Sequence, residues 1–81
     1  MRTRVQFYSH LRDLAGSEEL EVSLPDGATV ADLLKKIYQE KPALRSRDKS
    51  ILVGAGVEFV DRKHLIKPGE EISLMPPFQG G

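Results

Sequence analysis

Cysteine is absent from the 81-residue sequence, and its absence removes several kinds of chemistry. The chain can form no disulfide, offers no thiolate to a metal and has no cysteine nucleophile of its own. Its two histidines, His10 and His64, lack the number and spacing of ligands that a zinc or iron site needs. We therefore expect a fold stabilised by packing, with no bound metal and no bound cofactor.

Excess charge and long apolar runs are also missing. Lys and Arg number 12, as do Asp and Glu, so no overall field attracts nucleic acid or an anionic membrane. The basic stretch at residues 35–49 has the character of a solvated helix face. No apolar segment reaches the roughly 18 residues of a membrane span, and no signal-peptide pattern is present. We expect one small cytoplasmic domain that binds neither nucleic acid nor a membrane.

Catalytic motifs are missing as well. Gly54-Ala55-Gly56 lacks the Gly-Lys-Ser/Thr that completes a phosphate-binding loop, and a hairpin turn explains it better. None of the serines lies in a nucleophile-elbow pattern. The chain is predicted to be non-catalytic in isolation.

Alternating and periodic apolar residues predict the elements of the first half of the chain. Alternation predicts strands over residues 3–8 and 19–24, with a helical turn over 10–15 that Gly16 closes. Thr29 and Asp32 have the spacing of a capping box, so a helix is expected to begin there. Its apolar residues recur at helical spacing until Lys41-Pro42, and they are Val30, Leu33, Leu34, Ile37 and Tyr38.

The second half of the chain is predicted to be mostly strands. Residues 43–49 are polar and irregular, and 50–55 has the continuous apolar character of a largely buried strand. Gly56 permits a turn into a short return strand, and Pro68-Gly69 fits a type II turn before a last strand over 71–75. One main amphipathic helix with several strands indicates an α+β domain, in which the helix covers one face of a small sheet.

Large apolar side chains are also expected on the other face of this sheet. Alternation leaves Tyr8 and Met75 off the core face, and Phe59 is a third candidate. Apolar groups clustered on a wet face mark a partner surface, although single exposed ones are common. We predict Tyr8, Phe59 and Met75 as partner-binding residues.

The C-terminal segment Pro76-Pro77-Phe78-Gln79-Gly80-Gly81 is the most informative feature of the sequence. Proline cannot extend a sheet ladder and favours an extended path, so we expect a globular domain at 1–75 and a thin, flexible tail at 76–81. Six extended residues span up to roughly 20 Å, and two glycines fit a narrow channel. A frayed terminus without function is the alternative.

The carboxylate of Gly81 is the reactive group that this tail offers. A carboxylate is a poor electrophile and must first be activated, for example by adenylation with ATP. A sulfur nucleophile would then leave a thiocarboxylate, whereas an amine would leave an amide.

These residues resemble the ubiquitin-like sulfur carriers, and among them the small subunits of molybdopterin synthases. The resemblance is most specific over residues 72–81, where a strand leads into two prolines and a terminal Gly-Gly. Residues 5–8, 11–16 and 64–71 and the length of the chain support it. The resemblance implies a β-grasp fold, a mixed sheet packed on one main helix, with parallel first and last strands at the centre.

The resemblance also implies a function. An E1-like adenylyltransferase would activate Gly81 with ATP, a sulfur donor protein would supply the sulfur, and the tail would enter the large synthase subunit. The thiocarboxylate would there donate sulfur to cyclic pyranopterin monophosphate in molybdenum cofactor biosynthesis. The family binds its partners through an apolar patch, which here would contain Tyr8, Phe59 and Met75.

Three other functions stay open. The chain could carry sulfur for another pathway, such as thiamine synthesis or tRNA thiolation. It could be a ubiquitin-like modifier that is conjugated through Gly81 to lysines of other proteins. It could also be a passive interaction domain that uses the face of Tyr8 and Met75 and does not need Gly80-Gly81.

Overall fold

The computed structural model describes residues 1–77, which form a five-stranded sheet, two α-helices and a 3-10 helix. The strands are β1 (Arg2–Phe7), β2 (Glu19–Ser23), β3 (Leu52–Ala55), β4 (Glu58–Val60) and β5 (Ile72–Met75). The helices are α1 (His10–Ala15) and α2 (Val30–Glu40), and the 3-10 helix is Pro42–Ser50. Within this part of the chain, no helix has the length and apolar character that a membrane crossing requires.

The sheet has the strand order β2-β1-β5-β3-β4, so the last strand in sequence lies in the middle. β1 and β5 are parallel, with Val5 opposite Ile72 and Phe7 opposite Leu74. The other three pairs are antiparallel. The prediction of an α+β domain with a mixed sheet is confirmed, and so is the parallel pairing of the first and last strands at its centre.

Helix α2 begins where the capping-box spacing predicted. The Thr29 hydroxyl accepts a hydrogen bond from the Asp32 amide at 3.2 Å, and the Asp32 carboxylate accepts one from the Thr29 amide at 2.9 Å. This reciprocal pair occupies two of the amide donors that a helix N-terminus leaves without a carbonyl partner. The bond from the Thr29 amide also holds the pKa of Asp32 below its ordinary value.

The core lies between α2 and one face of the sheet. The predicted helical stripe is fully buried, and it packs in one cluster with the inward side chains of β1 and β5. Burial of each large aliphatic side chain stabilises the fold by roughly 1.5–3 kcal/mol. Because α2 covers only this face, the opposite face of the sheet is left without a helix.

The segment after α2 differs from the sequence prediction. Residues 43–49 were predicted to be irregular because they are polar, yet they lie within the 3-10 helix. Pro42 at its first turn presets the backbone angle of a helical start. Leu44 then turns into the core, where it is fully buried. One apolar anchor is too weak a periodic signal to predict a helix from sequence.

A polar cluster around Asp48 fastens this 3-10 helix to its neighbours. The Tyr38 hydroxyl donates to Asp48 Oδ1 at 2.5 Å, and Arg62 donates to the same oxygen at 3.0 Å and to the Asp48 carbonyl at 2.7 Å. The bond from Tyr38, together with Arg62, holds the pKa of Asp48 below its ordinary value, whereas burial and Asp48 raise the pKa of Tyr38. The cluster thus joins α2, the 3-10 helix and the segment after β4.

The turn between β1 and α1 contains a strained residue. Ser9 has φ 57° and ψ −140°, and it is the one non-glycine residue with positive φ among residues 1–77. The Leu11 amide donates to the Tyr8 carbonyl at 3.1 Å, which places Ser9 at the second position of a type II′ turn. Glycine usually occupies that position because a Cβ atom is strained there.

The pH dependence of stability provides a test of the Asp48 cluster. Because folding lowers the pKa of Asp48 from 3.8, the ionised carboxylate stabilises the fold above that pH. This stabilisation is lost as pH falls through the lower folded value. We expect Asp48→Asn to be less stable than wild type at pH 7 in urea unfolding, with the difference narrowing below about pH 4. Tyr38→Phe should show the same trend, and a constant difference at all pH values would contradict this role.

Relief of the strain at Ser9 provides a second test. We expect Ser9→Gly to raise the free energy of unfolding by about 1 kcal/mol, since glycine adopts positive φ without strain. The matched change is Gly16→Ala, which puts a side chain on a residue at φ 74° with open space around it. It should lower the free energy by about 1 kcal/mol. Urea unfolding measures both, and a neutral or destabilising Ser9→Gly would argue against strain.

Candidate functional site

The face of the sheet opposite α2 carries the predicted partner-binding residues. The registers place one row of residues across four strands of this face, namely Gln6, Ser73, Gly54 and Phe59. Met75 begins the next row, opposite Leu52. Tyr8 follows Phe7 at the end of β1, and its amide donates to the Leu74 carbonyl at 3.0 Å. The register thus carries Tyr8 alongside Met75, as the parallel pairing predicted.

The three predicted residues lie on this one face, and each is accessible. Tyr8 is 45% exposed and Phe59 is 59% exposed, while Met75 is half-buried. The Tyr8 hydroxyl donates to Gln6 Oε1 at 3.0 Å, which ties its ring to the sheet. Phe59 and Met75 lie on either side of Gly54. We call the surface formed by Tyr8, Phe59, Met75 and Leu52, together with the buried Gly54 between Phe59 and Met75, the outer patch.

Sequence reasoning missed two members of this outer patch. Residues 50–55 were predicted to form a largely buried strand, and Leu52 and Gly54 were not assigned to a face. In the structure Val53 and Ala55 point into the core, whereas Leu52 is half-buried beside Met75. Because glycine has no side chain, it does not show in the sequence whether its position faces the core or solvent, so the alternation of β3 was not recognised. The period of two, counted from Val53, would have found both residues.

Charged side chains bound the outer patch on the β2 side. Arg2 Nη2 lies 2.8 Å from Glu21 Oε1, and Arg4 Nε lies 3.9 Å from Glu19 Oε1. These pairs join β1 to β2 across the same face. Charges along an edge strand discourage pairing with another sheet. The apolar part of the face is therefore confined to the half formed by β5, β3 and β4, together with Tyr8.

The predicted tail starts at the outer patch. β5 ends at Met75, Pro76 is half-buried and Pro77 is exposed. The chain therefore leaves the sheet from the middle strand, next to Tyr8. The other predicted tail residues, Phe78, Gln79, Gly80 and Gly81, lie outside the described residues.

The two histidines belong to other parts of the molecule. His10 begins α1 and is exposed. His64 Nε2 lies 3.0 Å from Glu70 Oε1, and the Lys67 amide donates to the same oxygen at 3.1 Å. Burial raises the pKa of Glu70, but these two bonds outweigh it and hold the pKa below its ordinary value. Among residues 1–77, no three His, Asp or Glu side chains are grouped in a way that could hold a metal ion.

Comparison with known proteins gives relatives that share the whole chain. The molybdopterin synthase sulfur carrier subunit of Chlamydomonas reinhardtii is 35% identical over 83 residues, which cover 100% of both chains. The crystal structure of the small archaeal modifier protein SAMP1 from Haloferax volcanii is 29% identical, with a TM-score of 0.89 and coverage of 100% of both chains.

A second solved structure is similar in fold and contains a partner subunit. It is the complex of subunits 1 and 2 of the molybdopterin-converting factor from Helicobacter pylori. The similar chain is 24% identical to this one, with a TM-score of 0.74 and coverage of 100% of both chains.

The model of the ThiS family matches residues 5–81, which include every strand of the sheet except the start of β1. The match also includes the outer patch and the two prolines, and it continues through the Gly-Gly pair. The chain belongs to the ThiS family.

Proposed function

We propose that this protein is the sulfur carrier subunit of a molybdopterin synthase. The observation that carries the proposal is the route of the last strand, which runs through the centre of the sheet and delivers Pro76 and Pro77 at the edge of the outer patch. A domain built in this way would offer a partner its docking surface and the start of the tail at one place. The relative from Chlamydomonas reinhardtii bears the same function in its name and matches over the full chain.

The proposed chemistry takes place at the carboxylate of Gly81. A carboxylate resists nucleophilic attack because it is anionic and because oxide is a poor leaving group. An E1-like adenylyltransferase would join it to AMP from ATP with release of pyrophosphate. Hydrosulfide released by a donor protein would then attack the acyl carbon, forming a C–S bond while the bond to AMP breaks, and loss of a proton would leave a thiocarboxylate. Because this activation consumes ATP, we propose that it occurs in the cytoplasm.

The large subunit would supply the catalytic site. We propose that the outer patch binds this subunit while the tail inserts into it and places the thiocarboxylate next to cyclic pyranopterin monophosphate. Pro76 and Pro77 restrict the backbone where the tail begins, which lowers the entropy lost on insertion. Gly80 and Gly81 would pass through a channel too narrow for larger side chains. The carrier itself would contribute no catalytic residue besides its own terminus.

A second candidate function has one observation in its favour. The Haloferax volcanii relative with the similar fold is named a modifier, and attack by a lysine on the same acyl-adenylate would give an isopeptide. In the sequence comparison this modifier is 30% identical over 88 residues, against 35% over 83 residues for the sulfur carrier subunit of Chlamydomonas reinhardtii. The product distinguishes the two functions, since a carrier gives a thiocarboxylate and a modifier leaves Gly-Gly remnants on target lysines.

The loading reaction tests the proposed carrier. After incubation with ATP, the cognate adenylyltransferase and sulfide, we expect the intact mass to rise by the difference between one sulfur and one oxygen atom. Removal of Gly80-Gly81, or one alanine added after Gly81, should abolish this gain without changing the melting temperature. No gain in the wild-type protein, with an enzyme shown to be active on another carrier, would refute the proposal.

Two equally exposed residues test the outer patch. Phe59 lies on it and Leu65 does not, although both are 59% exposed. We expect Phe59→Ala to raise the Kd for the large synthase subunit by roughly 10-fold or more, since buried aromatic residues dominate interface energies. Leu65→Ala should leave this Kd unchanged within roughly twofold. Titration calorimetry measures both, and equal effects would exclude the outer patch as the binding surface.

A further inference from the structure

Gly54 occupies a position in β3 where the backbone does not need glycine. Four other described glycines have positive φ, namely Gly16, Gly27, Gly56 and Gly69, but Gly54 does not. It pairs with Ser73 of β5 on one side and with Phe59 of β4 on the other. Glycine weakens the interior of a strand because it loses more conformational freedom on folding and has no side chain to pack. Its presence there calls for another reason.

The space above Gly54 would accept a side chain. A Cβ atom built on Gly54 would lie 3.4 Å from Met75 Cε and 3.7 Å from the Ser73 Cβ and the Glu58 carbonyl oxygen. These are ordinary van der Waals contacts, and the nearest one is the mobile end of a methionine. Alanine therefore fits at this position without moving the backbone, so close packing does not explain the glycine either.

A small hollow of the outer patch lies beside Gly54, which is itself buried. It is lined by Gly54, Gly56, Val57, Glu58, Phe59, Ser73 and Met75. Its volume is about 100 Å³. Small-molecule sites measure roughly 300–1,000 Å³, so the hollow is too small for a cofactor or metabolite. It has the size of a single amino-acid side chain.

The walls of the hollow indicate the chemistry of its occupant. The Phe59 ring and the Met75 thioether are apolar, and methionine adapts its shape to what packs against it. Met75 also directly precedes Pro76, so an occupant would contact the residue from which the tail departs. Pockets that become fully desolvated when a partner binds hold the dominant residues of many protein interfaces.

We propose that the hollow above Gly54 is a socket for one aliphatic side chain of the large synthase subunit, and that Gly54 is a specificity-determining residue of this interface. The inference rests on the proposed function, because it names the partner of the same outer patch. Entry of the side chain next to Met75 fixes the direction in which Pro76 and Pro77 leave the sheet. Gly54 thereby aligns the tail with the active site of the partner.

A graded series at position 54 tests this proposal. Gly54→Ala fills part of the hollow and Gly54→Val fills more of it. We expect the Kd for the large subunit to rise in that order, by at least tenfold for Gly54→Val. The melting temperature should stay unchanged or rise, because both residues suit a strand better than glycine. Ser23→Val is the matched control, since it puts a valine side chain in place of serine on the same face of the sheet, at the far edge strand.

The competing explanation makes the opposite prediction for stability. If Gly54 only lets the Phe59 ring lie against the backbone, Gly54→Ala lowers the melting temperature and leaves the Kd unchanged. That result, or an unchanged Kd in the whole series, overturns the socket. If Gly54→Val fails to fold, the Kd and melting temperature of Gly54→Ala distinguish the two explanations. Mass gain on loading is measured separately on the wild-type protein, so a failed loading reaction refutes the carrier function and not the socket geometry.

Discussion

The parallel pairing of β1 with β5 is the constraint on which the remaining architecture depends. Two parallel neighbours cannot be joined by a tight turn, so everything between them must act as a crossover. Helix α2 and the 3-10 helix form part of that crossover, and they pack on the inner face of the sheet. The same pairing puts Tyr8 alongside Met75 and brings the chain out at Pro76. The register between β1 and β5 thus positions the core, the outer patch and the start of the tail.

The 3-10 helix in this crossover needs additional contacts to hold it in place, because its hydrogen-bond geometry is weak and it has a single buried aliphatic residue. The Asp48 cluster provides these contacts by joining Tyr38 of α2 to Arg62 of the segment after β4. The cluster lies at the helix layer, away from the outer patch. The polar contacts that fix the crossover therefore lie on the helix side of the sheet, whereas Tyr8, Phe59 and Met75 lie on the opposite face.

Local sequence signals predicted the elements that are stabilised locally. Thr29 and Asp32 satisfy each other within one turn, and the alternation in β1 needs only one buried face, so both features were readable from the sequence. The sequence did not predict three other features, namely the 3-10 helix, the positive φ of Ser9 and the face of the sheet on which Gly54 lies. Each of these features depends on contacts with residues that are distant in sequence. The 3-10 helix is held by the bond from Arg62 to Asp48, and the turn at Ser9 follows the bond from the Tyr8 amide to β5. The side of the sheet on which Gly54 lies is seen from its proximity to Met75.

A reusable carrier must expose apolar surface without binding copies of itself. The edge strands reduce that hazard, since β4 has only three residues and β2 carries Glu19 and Glu21 paired to arginines. Gly54 adds no side chain to the outer patch, and the neighbouring Ser73 is polar, so the apolar area of this face stays small. Tight binding then requires a partner whose side chains match this small area and its hollow. A surface of this kind favours a specific, reversible complex over a permanent one, as repeated loading and unloading of the tail would demand.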